Sequence, residues 1–398
     1  MDTLSPKPGV TPNDDAAQQI SGFLQSVQEH MIGMLQNLVR MESPSSDAAS
    51  LGQIMTHLQK ELAAMGFESK ILKPKQGQGA GHLYARPKHR ERGRRAQLML
   101  GHCDTVWPIG TLQTMPLVRD GAQLKGPGVF DMKAGIVQMY FALQAIEHCG
   151  FEMPLTPIIF INSDEEIGSP TATGFIRRLA TWVQRVFVLE PALGASGKLK
   201  TARKGGASYS VAVKGKAAHA GLNPQDGISA ILALSSLVQK LFALNDHAKG
   251  ISVNVGMIEG GVQPNMIAPE SRAIVEIRTN TIADWQRIEK TILELQPETE
   301  GISWEIRRRG FRPPMEATEG NMKLWALAKT YGAQLGLALE NATAGGGSDG
   351  NTTSRFTPTL DGLGAVGDGA HAAHEFIDLD QWLARTALLA MLLLSPEN

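Results

Sequence analysis

The order of apolar and polar positions along the chain predicts an α/β protein. Apolar residues recur at helical spacing over 16–41 and again over 51–65, and Gly66 follows at a position suited to a left-handed helix end. Short apolar runs then alternate with further helical stripes as far as residue 189. The expected elements of this part are helices at 133–148 and 171–180 and strands at 70–72, 82–85, 97–102, 157–161 and 185–189. This alternation predicts a central, mostly parallel sheet flanked by helices.

The pattern changes after Gly205-Gly206 and returns to its first form after residue 316, with a closing helix expected at 379–394. In between, strands and helices follow the order β-α-β-β-α-β, which is typical of a small ferredoxin-like α+β domain. A chain of 398 residues exceeds the size at which one hydrophobic core usually stops growing, so two domains are expected. We therefore predict a first domain made of 1–206 and 317–398, with a second domain inserted as 207–316.

Composition and charge narrow the classes of function. A net charge of −1 argues against a general nucleic-acid binder, and no run of residues is apolar enough to cross a membrane. Residues 1–15 lack the basic start and apolar core of a secretory signal. The only cysteines, Cys103 and Cys149, provide no disulfide framework, which fits a reducing compartment. We expect a cytoplasmic protein whose substrate is a small molecule, with no nucleic-acid or membrane partner.

Metal-type ligands follow several of the expected strands. His102, Glu166 and Glu190 each come shortly after a run that is typical of a buried strand. Because the carboxyl ends of parallel strands meet at one edge of a sheet, we expect these side chains to converge there. Imidazole nitrogen together with carboxylate oxygen suits zinc, with manganese or cobalt as substitutes. One such residue alone is more often an ordinary strand end, but the coincidence of several clusters favours a metal site.

Short motifs at intervals along the chain extend this metal hypothesis. They are His102-x-Asp104, Gly126-x-Gly128-x-x-Asp131-Met132-Lys133, Asp164-Glu165-Glu166, Glu190-Pro191, Gly215-Lys216-Ala217-Ala218-His219-Ala220-Gly221, Gly346-Gly347-Ser348-Asp349 and a late histidine before Glu375. In this order they resemble the dinuclear-zinc aminoacylase and carboxypeptidase superfamily, whose members include glutamate carboxypeptidases, acetylornithine deacetylase and succinyl-diaminopimelate desuccinylase. Each motif alone is weak, but the ordered set spans nearly the whole chain. The nearest resemblance is to the bacterial glutamate carboxypeptidase branch.

The resemblance implies a pair of zinc ions, for which cobalt or manganese can substitute, bridged by Asp131. His102 and Glu190 would complete one site, and Glu166 with a late histidine would complete the other. A shared carboxylate offsets the repulsion between two neighbouring cations and fixes their spacing. In the family, the peptide bond that follows this aspartate is cis.

Two histidines near the end of the chain are candidates for the last ligand. The family places a histidine four residues before a glutamate that an aromatic residue follows. His371, Glu375 and Phe376 fit that spacing. We therefore expect His371 to be the ligand, with His374 as the alternative.

The resemblance also implies roles in catalysis. Adjacent acidic residues that leave a strand point in opposite directions, so one can bind metal while the other faces the water. By resemblance, Glu165 is the expected general base and Glu166 the ligand. Asp104 is expected to hydrogen-bond the ring of His102 and fix its tautomer, although an aspartate here also commonly caps a turn. His219 is expected to reach the active site of the other subunit and stabilise the oxyanion. This role implies a homodimer formed through the inserted domain, which would act as a dimerisation or lid domain.

The same resemblance points to residues that contact the substrate. Arg278 is the expected partner of a free substrate carboxylate, since its planar guanidinium pairs bidentately with one. Arg309 and Arg312 match the family more loosely. The expected substrate contacts are Asn265, Arg278, Arg312 and Gly347.

The expected function is that of a metal-dependent hydrolase which uses activated water to release a carboxy-terminal amino acid, glutamate in type. The substrate would be an N-acyl amino acid or a short peptide. The resemblance associates a glutamate at position 190 with carboxypeptidases and deacylases. An N-acyl-amino-acid deacylase is the nearest alternative, because it performs the same chemistry with a different leaving group. A non-catalytic metabolite-binding member is the second alternative, and the presence of Glu165 with every expected ligand argues against it.

Overall fold

A computed structural model describes residues 12–74, 79–91 and 93–396 of the chain, so the part of the segment 1–15 before residue 12 lies outside the described residues. The helices are α1 (Asp14–Ser26), α2 (Gln28–Arg40), α3 (Ala48–Ala64), α4 (Ala134–His148), α5 (Thr173–Ala180), α6 (Ala230–Phe242), α7 (Ile282–Glu294), α8 (Glu319–Gln334), α9 (Gly350–Thr353) and α10 (Leu379–Leu394). The strands are β1 (Phe67–Leu72), β2 (His82–Pro87), β3 (Ala96–His102), β4 (Val118–Asp120), β5 (Gln123–Lys125), β6 (Thr156–Asn162), β7 (Val186–Val188), β8 (Leu199–Arg203), β9 (Gly205–Lys214), β10 (Ser252–Gly260), β11 (Glu270–Thr279), β12 (Ser303–Arg312), β13 (Asn341–Ala344), β14 (Thr359–Leu360), β15 (Gly367–Asp368) and β16 (Phe376–Asp378). Within the described ranges, every helix is too short or too polar to cross a membrane.

The chain divides into two compact units. Unit 1 runs up to Thr201 and continues with Ala317–Ala344 and Ser348–Asn398. Unit 2 comprises Ala202–Glu316 and Gly345–Gly347. The sequence placed the start of the inserted domain at residue 207, whereas unit 2 begins at residue 202 and also takes in the glycines at 345–347.

A six-stranded sheet forms the centre of unit 1, in the order β1-β2-β6-β3-β7-β14. The strands β6, β3, β7 and β14 pair in parallel. At one edge, β1 pairs antiparallel with β2, and β2 pairs antiparallel with β6. The mostly parallel sheet that the sequence predicts is therefore confirmed.

Both faces of this sheet are packed, which explains why its strands read as continuous apolar runs. In β3, Met99 packs into the core cluster that contains residues of α4 and α10, while Leu98 and Leu100 pack into the cluster that contains residues of α5. All of these side chains are fully buried. Burial of one such side chain stabilises the fold by about 1.5–3 kcal/mol. The central strands are therefore held from both sides, and the residues at their ends have fixed positions.

The first helical stripe is divided, whereas the sequence predicted one helix over 16–41. α1 and α2 meet at Val27, which has φ −110° and ψ 11°. Ile20 before the break and Leu35 after it belong to the same core cluster. Since neither glycine nor proline marks the break, the periodicity alone did not reveal it. The break lets both helices turn their apolar stripes to one core.

Unit 2 contains a four-stranded antiparallel sheet in the order β10-β11-β9-β12. Because α6 lies between β9 and β10 in the chain and α7 between β11 and β12, the order is β-α-β-β-α-β. The ferredoxin-like fold is therefore confirmed. One face of the sheet packs on the helices, where Tyr209 and Val211 join a cluster with Leu237 and Ile288.

A second, smaller sheet in unit 1 brings two loops together. Its order is β15-β16-β5-β4, with antiparallel pairs throughout. β5 leads into residues 126–131, which we call the Asp131 loop, and β15 and β16 enclose residues 369–375, which we call the His371 loop. Because Phe376 is the register partner of Lys125, the end of the His371 loop lies beside the start of the Asp131 loop.

Candidate metal centre and active site

Three parallel strands deliver ligand-type side chains to one edge of the unit 1 sheet. His102 is the last residue of β3, Glu190 follows the end of β7, and Glu165 and Glu166 follow β6. The strands β6, β3 and β7 are parallel neighbours, so these residues leave the sheet at the same edge. The structure thus brings together the histidine and the glutamates that the sequence expected to converge.

A further acidic side chain, Asp131, comes from the Asp131 loop. Gly126 and Gly128 have φ values of 156° and 73°, and a Cβ at Gly128 would lie 2.7 Å from a methyl carbon of Thr105. The segment 129–133 forms a short π-helical turn that Asp131 and Met132 interrupt with non-helical backbone. The peptide bond between them is cis, as the resemblance implied. The chain then enters α4, which is buried along almost its whole length and supports the loop.

Asp131 contacts two imidazoles with its two carboxylate oxygens. Its Oδ1 lies 3.2 Å from Nε2 of His102, and its Oδ2 lies 3.6 Å from Nε2 of His371. Glu190 Oε1 lies 3.5 Å from the same nitrogen of His102, and Glu166 Oε2 lies 3.0 Å from that of His371. The residues therefore form two groups, each with one histidine and one glutamate, and Asp131 belongs to both.

The donor set fits divalent cations. Ligand atoms of His102, Asp131 and Glu166 all lie within 4.8 Å of one another, and so do those of His102, Glu165 and Glu190. Glu166 Oε1 is buried and has no hydrogen-bond partner within the described residues. Burial raises the pKa of Glu166. Several carboxylates thus gather where water is scarce, and bound cations would offset their negative charge.

His371, rather than His374, contacts this acidic cluster. The carboxylates of Asp131 and Glu166 raise the pKa of His371 to about 10. The backbone of His371 has φ 60°, a conformation that few non-glycine residues adopt. In the part of the chain that the structure describes, the side chain of His374 makes no hydrogen bond or ion pair with the cluster. The geometry therefore favours His371 as the last ligand.

Asp104 contacts the ring of His102 and also holds the turn that carries the two glutamates. Nδ1 of His102 lies 3.0 Å from the backbone carbonyl oxygen of Asp104 and 3.4 Å from its carboxylate Oδ1. The carboxylate accepts hydrogen bonds from the backbone N–H groups of Glu165 and Glu166, at 3.2 and 3.1 Å, and from Ser45 Oγ at 2.7 Å. Because a carbonyl only accepts, Nδ1 of His102 carries a proton and Nε2 is left to face the cluster. The carboxylate itself holds the turn that carries the two glutamates.

In unit 2, the expected residues His219 and Asn265 lie on adjoining segments of the chain. The N–H of Ala220 donates to the carbonyl oxygen of Asn265 at 2.9 Å. Nδ1 of His219 accepts hydrogen bonds from the N–H groups of Gly221 and Leu222, at 3.1 and 3.2 Å. The neutral ring therefore carries its proton on Nε2, which makes Nε2 a hydrogen-bond donor.

Arg278 and Arg312 leave the same face of the unit 2 sheet. Both are direct cross-strand partners of Gly206, Arg278 on β11 and Arg312 on β12, and such partners share a face. A Cβ at Gly206 would lie 3.6 Å from the guanidinium of Arg278, which therefore extends over the glycine. Nε of Arg278 donates to Glu276 Oε1 at 2.6 Å. Any anionic ligand of Arg278 thus competes with Glu276.

The remaining expected contact, Gly347, and the looser family match, Arg309, also belong to unit 2. The carbonyl oxygen of Gly347 accepts a hydrogen bond from Nη1 of Arg203 at 3.3 Å. Arg309 lies where the register between β12 and β9 shifts, and it lines an open groove of about 550 Å³ with Arg272 and Arg307. The sequence did not predict this groove.

Two acidic residues support the site in ways that the motifs did not indicate. Asp349 is buried and accepts hydrogen bonds from Asn162 Nδ2 at 2.7 Å and from Ser169 Oγ, on either side of the turn that carries the glutamates. Glu375 is buried and accepts a hydrogen bond from the backbone N–H of Asp131. In the sequence, each of these residues was visible only as an acidic position within a motif. Such a position does not indicate which groups donate hydrogen bonds to the carboxylate.

The fold and this cluster define a class of protein, an α/β protein with an inserted ferredoxin-like domain and a candidate two-metal centre. Residues 201–299 match the M20 peptidase dimerisation domain. Carboxypeptidase G2 of Pseudomonas sp. (strain RS-16) is 28% identical over 373 residues, which are 92% of this chain and 89% of the relative. Succinyl-diaminopimelate desuccinylase of Burkholderia ambifaria is 26% identical over 87% of this chain and 94% of the relative. The solved structure of aminopeptidase PepT from Bacillus cereus shares the fold, with a TM-score of 0.77 and 21% identity over 92% of this chain and 98% of that chain.

Residues 201–299 thus form an M20 peptidase dimerisation domain, and the chain is similar to carboxypeptidase G2 and to succinyl-diaminopimelate desuccinylase over most of its length. The resemblance drawn from the sequence motifs is therefore confirmed.

Proposed function

We propose that the protein is a metal-dependent hydrolase that releases a carboxy-terminal amino acid, glutamate in type, from an N-acyl amino acid or a short peptide. The observation that carries the proposal is the cluster in which Asp131 contacts both His102 and His371 beside Glu166 and Glu190. Similarity to carboxypeptidase G2 over 92% of the chain favours the carboxypeptidase reaction.

Two zinc ions are the proposed cofactors, with cobalt or manganese as substitutes. His102 and Glu190 would hold one ion, Glu166 and His371 would hold the other, and Asp131 would bridge them. When bound, the ions would supply Lewis acidity, which polarises an amide carbonyl and lowers the pKa of water. The mixture of imidazole and carboxylate ligands suits these metals.

Glu165 is the proposed general base. Its backbone N–H donates to the carboxylate of Asp104 at 3.2 Å, so its side chain starts from a held position. Its carboxylate belongs to the same group of ligand-type atoms as His102 and Glu190. The carboxylate takes a proton from the attacking water and passes it to the leaving amine nitrogen.

His219 is the proposed donor to the oxyanion, acting in the active site of the partner subunit. Since its Nδ1 accepts two backbone hydrogen bonds, its Nε2 carries the proton and can donate it to a developing negative charge. Mixing the His219→Ala and Glu165→Ala proteins tests the role, because hybrid dimers should regain one complete site. Fluorescence transfer between labelled subunits verifies exchange, and exchange without regained activity would contradict the trans role.

A second copy of the chain is the proposed partner, bound through unit 2. Apolar side chains are exposed on α6 and on β10, which is an edge strand of its sheet: Ile231 (46%), Leu232 (71%), Met257 (58%) and Ile258 (59%). Exposed apolar patches and unpaired strand edges are typical of interfaces. Sedimentation velocity should show a dimer for the wild type and a shift toward monomer for Leu232→Glu. A wild type that stays monomeric at micromolar concentration would contradict the proposal.

Arg278 and Arg312 are the proposed contacts of the substrate carboxylate, with Asn265 and Gly347 as further substrate contacts. The two arginines stand on either side of Gly206, which leaves room between them for a small anion. Neighbouring strands lie about 4.8 Å apart, so the two arginine Cα atoms are roughly 10 Å apart. Two guanidinium groups at this spacing suit a dicarboxylate such as glutamate.

Turnover of a panel of N-acyl amino acids by the zinc-loaded protein tests the proposal, with the amino acid varied at a fixed acyl group. We expect glutamate and aspartate to be preferred over leucine and lysine, and Arg278→Lys to weaken that preference. Equal turnover of all amino acids would contradict the glutamate-type assignment. If the protein binds two metals but turns over none of these substrates, the proposed hydrolase function is wrong and a metabolite-binding function is supported.

An N-acyl-amino-acid deacylase is the second candidate function. It is favoured by the similarity to succinyl-diaminopimelate desuccinylase, which extends over 94% of that relative. Varying the acyl group at a fixed amino acid separates the candidates, since a deacylase would show the larger change in kcat/KM with the acyl group. The cytoplasmic location stays a prediction from the cysteine content.

A further inference from the structure

The buried side chain of Glu375 accepts hydrogen bonds from several backbone N–H groups of the Asp131 loop. Oε1 of Glu375 accepts hydrogen bonds from the N–H groups of Phe130 and Asp131, at 2.9 and 3.1 Å. Oε2 accepts from the N–H of Gly128 at 2.9 Å and from Nε1 of Trp107 at 2.8 Å. Because all of these partners are donors, only a carboxylate satisfies every one of them. Glu375 is 0% exposed, so water does not replace these contacts.

The backbone of the same residue joins the Asp131 loop to the His371 loop. The N–H of Glu375 donates to the carbonyl oxygen of Ala372 at 3.0 Å, closing the turn after His371. The N–H of Gly126 donates to the carbonyl oxygen of Glu375 at 3.1 Å. β16 begins at the next residue and pairs with β5, which precedes the Asp131 loop. Glu375 therefore links the two loops through hydrogen bonds of its side chain and its backbone.

We propose that Glu375 is a positioning residue, which directs Asp131 toward both metals and keeps the His371 loop beside it. The inference rests on the proposed two-metal centre. Glu375 is not one of the proposed ligands and acts through the backbone of Asp131, whose side chain has few rotatable bonds beyond that hydrogen bond. Loss of such an outer partner typically lowers metal affinity about 10–100-fold.

The two metal sites depend on Glu375 to different degrees. The site of Glu166 and His371 takes its histidine and its bridging carboxylate from the two loops that Glu375 fastens. The site of His102 and Glu190 takes only the bridging carboxylate from them, because its other ligands stand at strand ends. Loss of the Glu375 carboxylate should therefore weaken the former site more than the latter.

Glu42 provides a matched control on the same chain. Its carboxylate accepts hydrogen bonds from the N–H groups of Gly110 and Leu112, at 2.7 and 2.9 Å. These residues lie outside the two loops and carry no proposed ligand. Glu42→Gln thus removes a carboxylate that binds backbone amides without disturbing the support of Asp131.

Cobalt(II) titration of the metal-free, full-length protein tests the proposal, followed by calorimetry and by visible absorption. Glu375→Gln keeps the shape of the side chain but replaces one carboxylate oxygen by an NH₂ group. Whichever oxygen is replaced, the NH₂ then faces two N–H donors, with which it cannot form hydrogen bonds. We expect the affinity for one of the two cobalt ions to fall about 10–100-fold and that for the other to fall less. We also expect the absorption bands of bound cobalt to change, which a mere loss of stability does not cause. Glu42→Gln should match the wild type in both measurements.

Wild-type affinities and bands in Glu375→Gln would overturn the inference, and so would an equal loss in Glu42→Gln. If Glu375→Gln does not fold, Trp107→Phe removes one donor and leaves the backbone contacts in place. It should show a smaller loss of affinity with altered bands, and wild-type cobalt binding by this variant would also overturn the inference. A wild type that binds no cobalt would instead overturn the two-metal centre itself, which distinguishes the two failures.

Discussion

The segment after β14 passes so close to Glu190 that only glycine fits there. The N–H of Gly364 donates to the carbonyl oxygen of Glu190 at 2.9 Å. A Cβ at Gly364 would lie 2.4 Å from the carbonyl oxygen of Leu189 and 2.6 Å from that of Glu190, whereas ordinary contacts begin near 3.4 Å. Gly364→Ala therefore moves the two backbone segments further apart by roughly 1 Å, and the surrounding interior is close-packed and resists this movement.

The cost of this displacement follows from its position. Overpacking a core usually lowers the free energy of unfolding by about 1–3 kcal/mol. The clash here is with backbone oxygens and cannot be relieved by a change of side-chain rotamer. We expect a loss near the upper end, about 3 kcal/mol, which corresponds to a fall in Tm of about 6–12 °C for a domain of this size. Because the backbone of Glu190 moves with Leu189, zinc affinity should fall about tenfold or more.

Urea unfolding of the metal-free protein and zinc binding by calorimetry measure the two effects. Gly33→Ala in α2 is the control, since a Cβ there would meet nothing within 4 Å. Alanine in a helix should raise the free energy of unfolding by about 0.5–1 kcal/mol. An unfolding midpoint for Gly364→Ala equal to that of the wild type, with unchanged zinc affinity, would refute the reasoning.

Further predictions concern the division of roles, the substrate arginine and the core of unit 2. Glu165→Ala should abolish turnover while both metals stay bound, whereas Asp131→Ala should lose metal as well, as measured by mass spectrometry of the metals; equal metal loss would contradict the assignment. Glu276→Gln should release Arg278 and lower KM for a glutamate conjugate by up to about fivefold, matching a 0.2–1 kcal/mol ion pair, and an unchanged KM would argue against Arg278 as the carboxylate contact. Tyr209→Phe removes a buried hydroxyl that donates one hydrogen bond and accepts another, so it should cost about 1–3 kcal/mol; a thermal midpoint equal to that of the wild type would exclude this.

The fold was predictable where a local pattern carried it. The closing helix was expected at 379–394, the bounds of α10, because its residues are apolar on nearly all sides and buried. The break at Val27 was not predictable, since the helical stripe continues through it without glycine or proline. The boundary of unit 2 also differed, because the strand β9 already begins at Gly205.

In the candidate site, the ligands at the ends of strands were predictable, whereas the hydrogen bonds that hold those ligands in place were less so. His102 and Glu190 each follow a buried run, so their convergence required only the parallel order of β3 and β7. The hydrogen bonds of Asp104 were not predictable, because whether its carbonyl or its carboxylate faces the ring of His102 depends on the turn beyond β3. The choice between His371 and His374 likewise depended on a loop conformation.

The sequence by itself determined the periodicity of the elements, the βαββαβ order of the inserted domain and the kinds of ligand available. These properties are local, since a stripe or a strand is set by residues within a few positions of one another. The tertiary structure alone decided which distant groups meet. Asp131 and Glu375 are separated by 244 positions, and their hydrogen bond exists only because β5 and β16 pair in one register. A shift of that register by one residue would turn each side chain of β16 to the opposite face.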